Sequence, residues 1–178
     1  MAVQVPSDPR GVLELALKNE KTSYDMYADA RGKSTTDLAK HTFQFLCDEE
    51  SRHMKAIKEY FRALEEGREP DAVQETHVLD YARGQLRSVF ERFRGDVEAA
   101  TAAQEQHMAA YEVAIDIEKT GYEFYKQASA QAETGFAKEF YAWLMNEENA
   151  HYDLISQTYD FLKRPDGFLA EMERWMQT

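Results

Sequence analysis

Two Glu-x-x-His motifs are the residues of this sequence whose types and spacing could do chemistry. On an α-helix, positions i and i+3 lie on one face, so the carboxylate and the imidazole of a motif can reach one metal ion. Each motif also follows another glutamate by thirty residues. The six candidate metal ligands are Glu20, Glu50, His53, Glu118, Glu148 and His151.

Four glutamates on one inward level would be costly to bury alone, because like charges at close range cannot all stay ionised. Two divalent cations would balance four carboxylates, and neutral histidines would add nitrogen ligands. A mixed oxygen and nitrogen set suits iron, manganese or zinc. The alternative is a set of surface charges on Glu-rich helices. That alternative explains one glutamate better than six residues in a two-fold pattern.

The two-fold pattern is an internal repeat with a constant offset of 98 residues. Residues 16–30 match residues 114–128 at seven of fifteen positions, including the segments EKTSYDMY and EKTGYEFY. Residues 43–57 match residues 141–155 at the same offset, and this match includes both Glu-x-x-His motifs. Two matches that share one offset without a gap indicate a duplicated structural unit.

Each repeat is predicted to be a pair of helices, because apolar residues recur at helical spacing. Asp8 can cap the first helix with Pro9 at its first position, and Gly32 is predicted to end it. The segment 34–37 carries the start signal of a second helix, which runs to Gly67. The first predicted hairpin therefore covers about 9–67.

The second hairpin is predicted at about 100–163. Thr134 can cap its second helix, and Pro165 stops it. Residues 68–99 form a long crossover between the hairpins, and 166–177 read as a short C-terminal helix. We therefore predict one all-α domain over 1–178, a four-helix bundle of ferritin-like topology.

Helix lengths place the candidate ligands at one level of this bundle. At about 1.5 Å rise per residue, Glu20 and Glu50 both lie roughly 20–24 Å from the turn near Lys33. Glu118 and Glu148 are about equally far from the turn in the second hairpin. Four helices thus bring four carboxylates and two imidazoles together, which is the ligand set of carboxylate di-iron bundles.

Two tyrosines follow the first glutamate of each repeat on the same helix face: Tyr24, Tyr27, Tyr122 and Tyr125. A buried phenol needs a hydrogen-bond partner, and a ligand carboxylate could be that partner. Plain aromatic packing explains the positions equally well, so both interpretations stay open.

Composition excludes several classes of function. The net charge of −12 argues against nucleic acid or an anionic membrane as a partner, because both require clustered Lys and Arg. No apolar run approaches the roughly 20 residues that span a bilayer, and residues 1–10 do not read as a signal peptide. We therefore expect a cytoplasmic protein. The single cysteine, Cys47, excludes a disulfide framework within the chain and any Cys-x-x-Cys pair.

These motifs resemble the rubrerythrin family of the ferritin-like superfamily over roughly residues 10–162. The resemblance implies two iron ions per chain, with manganese or zinc as alternatives, and it implies that Glu50 and Glu148 bridge them. Glu20 with His53 would complete one metal, and Glu118 with His151 the other. It also implies a di-iron oxidoreductase that reduces hydrogen peroxide or dioxygen, a role in oxidative stress, and a homodimer.

The sequence departs from rubrerythrins in two respects. It contains no rubredoxin-like domain, so electrons are expected from an external donor such as a rubredoxin-like protein. Rubrerythrins usually carry a further glutamate one turn after the third-helix glutamate, whereas this chain has Gly121 there and Ser23 at the repeat counterpart. A more symmetric site, resembling that of bacterioferritin, is expected. A ferroxidase or iron storage and transfer protein, and a metal-stabilised binding protein without turnover, are the alternative functions.

Overall fold

The computed structural model describes residues 4–68, 70 and 104–164. These ranges hold four α-helices and no strand: α1 (Pro9–Lys33), α2 (Asp37–Glu66), α3 (Gln104–Gln131) and α4 (Gly135–Lys163). Helix α1 packs on α2, α3 packs on α4, and α1 of the first pair contacts α3 of the second. The predicted all-α ferritin-like bundle of two helical hairpins is therefore confirmed.

Side-chain caps start three of the described helices, as their sequences predict. The Oδ1 of Asp8 accepts a hydrogen bond from the amide of Gly11 at 2.7 Å. The hydroxyl oxygens of Thr36 and Thr134 accept from the amide three residues on, at 3.3 and 3.1 Å. Each such cap is worth about 1 kcal/mol. Gly67 ends α2 with a φ of 64°, a left-handed conformation that favours glycine.

Other predicted boundaries differ or fall elsewhere. Helix α1 continues past the predicted stop at Gly32 to Lys33, and the amide of Ser34 still bonds back to the carbonyl of Arg31. A glycine inside the last turn weakens a helix without ending it. Nearly all of the predicted crossover at 68–99 lies outside the described residues, and the predicted C-terminal helix at 166–177 lies wholly outside them.

Two apolar clusters form the core. The first cluster comprises residues from the C-terminal parts of α1 and α4 and the N-terminal parts of α2 and α3, among them Tyr27, Phe43, Leu46, Tyr111, Ile155 and Phe161. The second cluster comprises residues from the opposite parts of the same helices, among them Leu13, Ile57, Phe124, Tyr125, Phe140 and Leu144. Fully burying one such side chain stabilises the fold by about 1.5–3 kcal/mol. Along every helix the candidate ligands lie between the two clusters, so they form a polar layer across the bundle.

The clusters also give the helix directions. Helices α1 and α4 run from the second cluster to the first, whereas α2 and α3 run the opposite way. The end of α2 and the described start of α3 therefore lie at opposite ends of the bundle. None of the described helices combines the length and the apolarity that crossing a lipid bilayer requires.

Candidate metal centre

All six predicted ligands lie in the polar layer between the two apolar clusters. Glu20 comes from α1, Glu118 from α3, and one Glu-x-x-His motif from each of α2 and α4. None of the six residues is more than 4% exposed. Burial of four carboxylates at this depth requires cations or protons to compensate them.

In the part of the chain that the structure describes, side-chain donor atoms that lie within 4.8 Å of one another form three groups, the third of which is Glu49 with both histidines, His53 and His151. The first group, called here the Glu20 position, is Glu20, Glu50, His53 and Glu148. The second, called here the Glu118 position, is Glu50, Glu118, Glu148 and His151. Both positions share Glu50 and Glu148, as bridging carboxylates would require.

The two oxygens of Glu50 face different histidines. Its Oε2 lies 3.7 Å from Nδ1 of His53, and its Oε1 lies 3.7 Å from Nδ1 of His151. The glutamates that belong to one position only, called here the terminal glutamates, approach the same ring nitrogens. Glu20 Oε2 is 3.0 Å from Nδ1 of His53, and Glu118 Oε2 is 3.5 Å from Nδ1 of His151. Each histidine therefore presents Nδ1 to the centre.

Buried polar atoms without a partner test whether metal ions fit this centre. Both oxygens of Glu50, Oε2 of Glu118 and Nδ1 of His151 form no hydrogen bond, although all are buried. An unsatisfied buried polar atom is costly and rare in folded proteins. All four atoms face the centre, and they are oxygen and nitrogen donors. The residues present therefore fit a pair of divalent cations such as iron, manganese or zinc.

The pKa values of the candidate ligands in the absence of a cation also indicate that the polar layer needs positive charge. Burial and the neighbouring carboxylates raise the pKa of Glu50 and of Glu148 well above the usual range. Burial opposes ionisation of Glu20 and of His53 as well. Hydrogen bonds from its neighbours nevertheless lower the pKa of Glu20 to about 2, and bonds to Glu147 and Glu20 raise the pKa of His53 to about 9. Without metal, protons must therefore supply the positive charge in the layer.

Two of the four predicted tyrosines contact the candidate ligands. Each of them reaches a glutamate of the other repeat. The hydroxyl of Tyr27 donates to Oε1 of Glu118, and the hydroxyl of Tyr125 donates to Oε1 of Glu20. The outer oxygen of each terminal carboxylate is thus held, and the other oxygen faces its histidine. Tyr24 and Tyr122 are half-buried and hydrogen-bond to no ligand carboxylate. Tyr24 packs on the first apolar cluster, and Tyr122 lies under the ammonium of Lys126.

Removing the tyrosine hydroxyls separates the orienting role from the packing role. We expect Tyr27→Phe and Tyr125→Phe each to weaken metal binding by about 10–100-fold, the usual cost of losing a group that orients a ligand. Binding is measured by isothermal titration with Mn²⁺ or Fe²⁺ under argon. Tyr24→Phe is the matched control and should bind like the parent. If all three variants bind alike, the tyrosines serve packing alone.

Glu49 and Glu147 also repeat in the sequence, one residue off the ligand face, where they are expected to lie behind the ligands or in solvent. Glu147 is buried, its Oε2 lies 3.6 Å from Nε2 of His53, and it forms an ion pair with Arg52. The same guanidinium pairs with Glu49 at 2.5 Å and lies over the ring of Trp143. The repetition of Glu49 as Glu147 was a usable signal. Arg52 gave none, because the repeat has Ala150 at the matching position.

Gly121 lies against the carboxylate of Glu148. A Cβ at this position would stand 2.9 Å from Cδ of Glu148, closer than real Cβ atoms come, and closer still to its Oε2. The glycine therefore provides the space that the carboxylate of Glu148 occupies. At the repeat counterpart, Ser23 is buried and turns its hydroxyl back to the carbonyl of Asn19.

Filling that space should disturb the site. We expect Gly121→Ala to fold, to shift Glu148 and to weaken metal binding at both positions at least tenfold, since overpacking costs about 1–3 kcal/mol. Gly32→Ala is the matched helical control, because a Cβ there meets nothing within 4 Å. Titration with Mn²⁺ and a circular dichroism spectrum of each variant check this. Unchanged binding by Gly121→Ala would show that Glu148 can move without loss.

An all-α bundle with a buried centre of paired carboxylates and histidines defines a class, the ferritin-like proteins with a carboxylate metal site. A sequence model of the Rubrerythrin family matches residues 11–159, and the chain belongs to this family. The matched range contains all six candidate ligands, so the resemblance predicted from the motifs is confirmed. Neither a curated protein nor a solved structure matches the chain.

Proposed function

We propose that this protein is a di-iron oxidoreductase of rubrerythrin type that reduces hydrogen peroxide or dioxygen. The observation that carries the proposal is the pair of overlapping ligand groups that share Glu50 and Glu148. The membership of the Rubrerythrin family adds support, because that family implies a di-iron centre. Electrons come, in this proposal, from a donor outside the 178 residues, such as a rubredoxin-like protein.

The contacts within the polar layer support a role for each ligand in this proposal. Glu20 and His53 would hold one iron, Glu118 and His151 the other, and the two shared glutamates would lie between them. When bound, a reduced pair of iron ions would supply two electrons, which together with two protons reduce hydrogen peroxide to two waters or dioxygen to peroxide. Four carboxylate charges match the charge of two ferrous ions, and this balance keeps the diferrous form stable in a dry layer.

The chain keeps this layer organised in two ways. Burial and the nearby carboxylates raise the pKa of Tyr27 and of Tyr125 well above 10, so both phenols stay protonated and donate to the terminal glutamates. The apolar clusters on either side of the polar layer prevent water from reaching it through the ends of the bundle. Fixed donors in a dry site cost no reorganisation during a reaction, which favours redox chemistry there.

The test is a comparison of oxidants. The metal-free protein is loaded with ferrous iron under argon, bound iron is counted, and the absorption of the oxidised iron pair is followed after adding peroxide or oxygen. We expect two irons per chain, oxidation by peroxide faster than by oxygen, and repeated turnover when a rubredoxin-like reductant is supplied. Inert, tightly held zinc and no response to either oxidant would instead leave a metal-stabilised binding protein.

One observation favours a second candidate, a ferroxidase that stores or transfers iron. Gly121 gives the Glu118 position no additional carboxylate, so both positions have one terminal glutamate and one histidine. Such symmetry is what the resemblance to bacterioferritin implies. Oxidation by oxygen faster than by peroxide, together with many irons per chain, would favour this function over peroxide reduction.

A further inference from the structure

The two metal positions are nearly equivalent in their ligands, because a repeat with one offset supplies both. A difference between them must therefore come from residues that break the repeat. Arg52 is such a residue, since the matching position in the second repeat is Ala150. Ala150 is buried and offers no polar group.

Three contacts hold the guanidinium of Arg52 beside the polar layer. It pairs with Glu49 at 2.5 Å and with Glu147, and its central carbon lies 5.4 Å from the centre of the Trp143 ring. Trp143 in turn contacts the ring of His53 edge-on, at 5.6 Å between centroids. The arginine is only 28% exposed, so its charge is partly desolvated and its pairs are stronger than those at the surface.

The two histidines differ in what surrounds the ring nitrogen that faces away from the centre. Glu147 places Oε2 3.6 Å from Nε2 of His53, the ring nitrogen that faces away from the ligand carboxylates. Neither outer ring nitrogen forms a hydrogen bond shorter than 3.5 Å, so the difference lies in the ion pair: within the described parts of the chain no carboxylate oxygen lies within 4.0 Å of Nε2 of His151. Glu49, the counterpart of Glu147, also pairs with Arg52, and its carboxylate comes within 4.8 Å of both histidines without forming an ion pair with either.

A carboxylate at the outer nitrogen of a ligating histidine has two effects. It keeps the proton on Nε2, which leaves the lone pair of Nδ1 free for a metal, and it makes the ring a stronger donor. Loss of such a partner typically lowers metal affinity by about 10–100-fold. Among the described residues, His53 is the only one of the two histidines with a carboxylate oxygen within 4.0 Å of its outer nitrogen.

We propose that Arg52 and Glu147 make the two metal positions unequal, so that the Glu20 position fills first and holds its ion more tightly than the Glu118 position. Arg52 and Glu147 act through His53 and are positioning residues. The inference rests on the two-metal site of the proposed function. It adds that the centre loads in a fixed order and passes through a state with one ion.

The order is read from site occupancy, which does not depend on any activity. The metal-free protein is crystallised with one equivalent of Co²⁺ per chain, and anomalous scattering gives the occupancy of each position. We expect most of the cobalt at the Glu20 position. Equal occupancy, or a preference for the Glu118 position, would overturn the inference and leave the two-metal site intact. Failure of the parent protein to bind cobalt, manganese or iron would overturn the proposed function as well.

Variants then test the cause. Glu147→Gln keeps the shape of the side chain but removes its charge, and we expect it to weaken the first step of a Co²⁺ titration by about tenfold and to even out the occupancies. Arg52→Met should act in the same direction, because Glu147 is then no longer held. Glu49→Gln is the matched control from the other repeat and should keep the preference for the Glu20 position. If Glu49→Gln and Glu147→Gln have equal effects, general charge explains the result and the assignment to Glu147 is overturned.

Discussion

Glu50→Ala is expected to abolish the binding of both metal ions, whereas Glu20→Ala should remove one. The reason lies in the two oxygens of Glu50, which face the histidines of different positions, His53 and His151. Loss of a shared ligand removes a donor from each ion. It also leaves the layer with too little negative charge to balance two divalent cations. The loss of metal affinity should exceed the roughly 10–100-fold loss that follows from removing a residue that only orients a ligand. Iron per chain is counted by mass spectrometry after anaerobic loading and desalting.

The same variant has a thermal readout. A ligand at 100 times its dissociation constant stabilises a folded protein by about 2.7 kcal/mol, so metal should raise the melting temperature of the parent and leave that of Glu50→Ala unchanged. Glu49→Ala is the neighbouring control and should keep two ions, because Glu49 pairs with Arg52 and belongs to neither of the two groups that share Glu50 and Glu148. Two ions retained by Glu50→Ala would contradict a bridging role and with it the ligand assignment.

The centre could be anticipated because its signals were local and repeated. Helical spacing places Glu50 and His53 on one face, the offset of 98 residues doubles the motif, and helix length sets the common level. The caps at Asp8 and Thr134 likewise depend on one side chain and the next turn of backbone. Such features need no knowledge of how distant helices pack. That the six residues bind metal stays a prediction.

Contacts between helices could not be anticipated in the same way. The tyrosine pattern left orientation and packing equally open. Only the packing of α1 on α3 shows that Tyr27 reaches Glu118 of the other repeat. Arg52 has no counterpart in the repeat and no motif, so its pairing with Glu147 of α4 is visible only in three dimensions. The need for glycine at position 121 likewise follows only from the direction in which the carboxylate of Glu148 points.

The metal-free protein is expected to lose stability as the pH rises from about 6.5 to 9. The folded pKa of His53 is about 9 and its ordinary value is 6.5, so the stability it contributes is complete below 6.5 and is lost as the pH passes 9. The pKa values of Glu50 and Glu148 are also raised, so their burial costs more as the pH climbs above 4.5. Glu20, whose folded pKa is about 2, contributes fully above 4.5 and adds no slope in this window.

Metal should reverse this dependence, because cations replace the protons that the carboxylates and histidines would otherwise hold. Melting temperatures are followed by circular dichroism at pH 6, 7.5 and 9, in chelator or with saturating Mn²⁺. For a chain of this size each 1 kcal/mol lost lowers the melting temperature by about 2–4 °C, so the gap between the two series should widen with pH. The double variant Glu50→Gln, Glu148→Gln should flatten the metal-free series. A metal-free parent whose melting temperature stays level or rises toward pH 9 would show that protons do not compensate the buried carboxylates, and that the layer is held open to water instead.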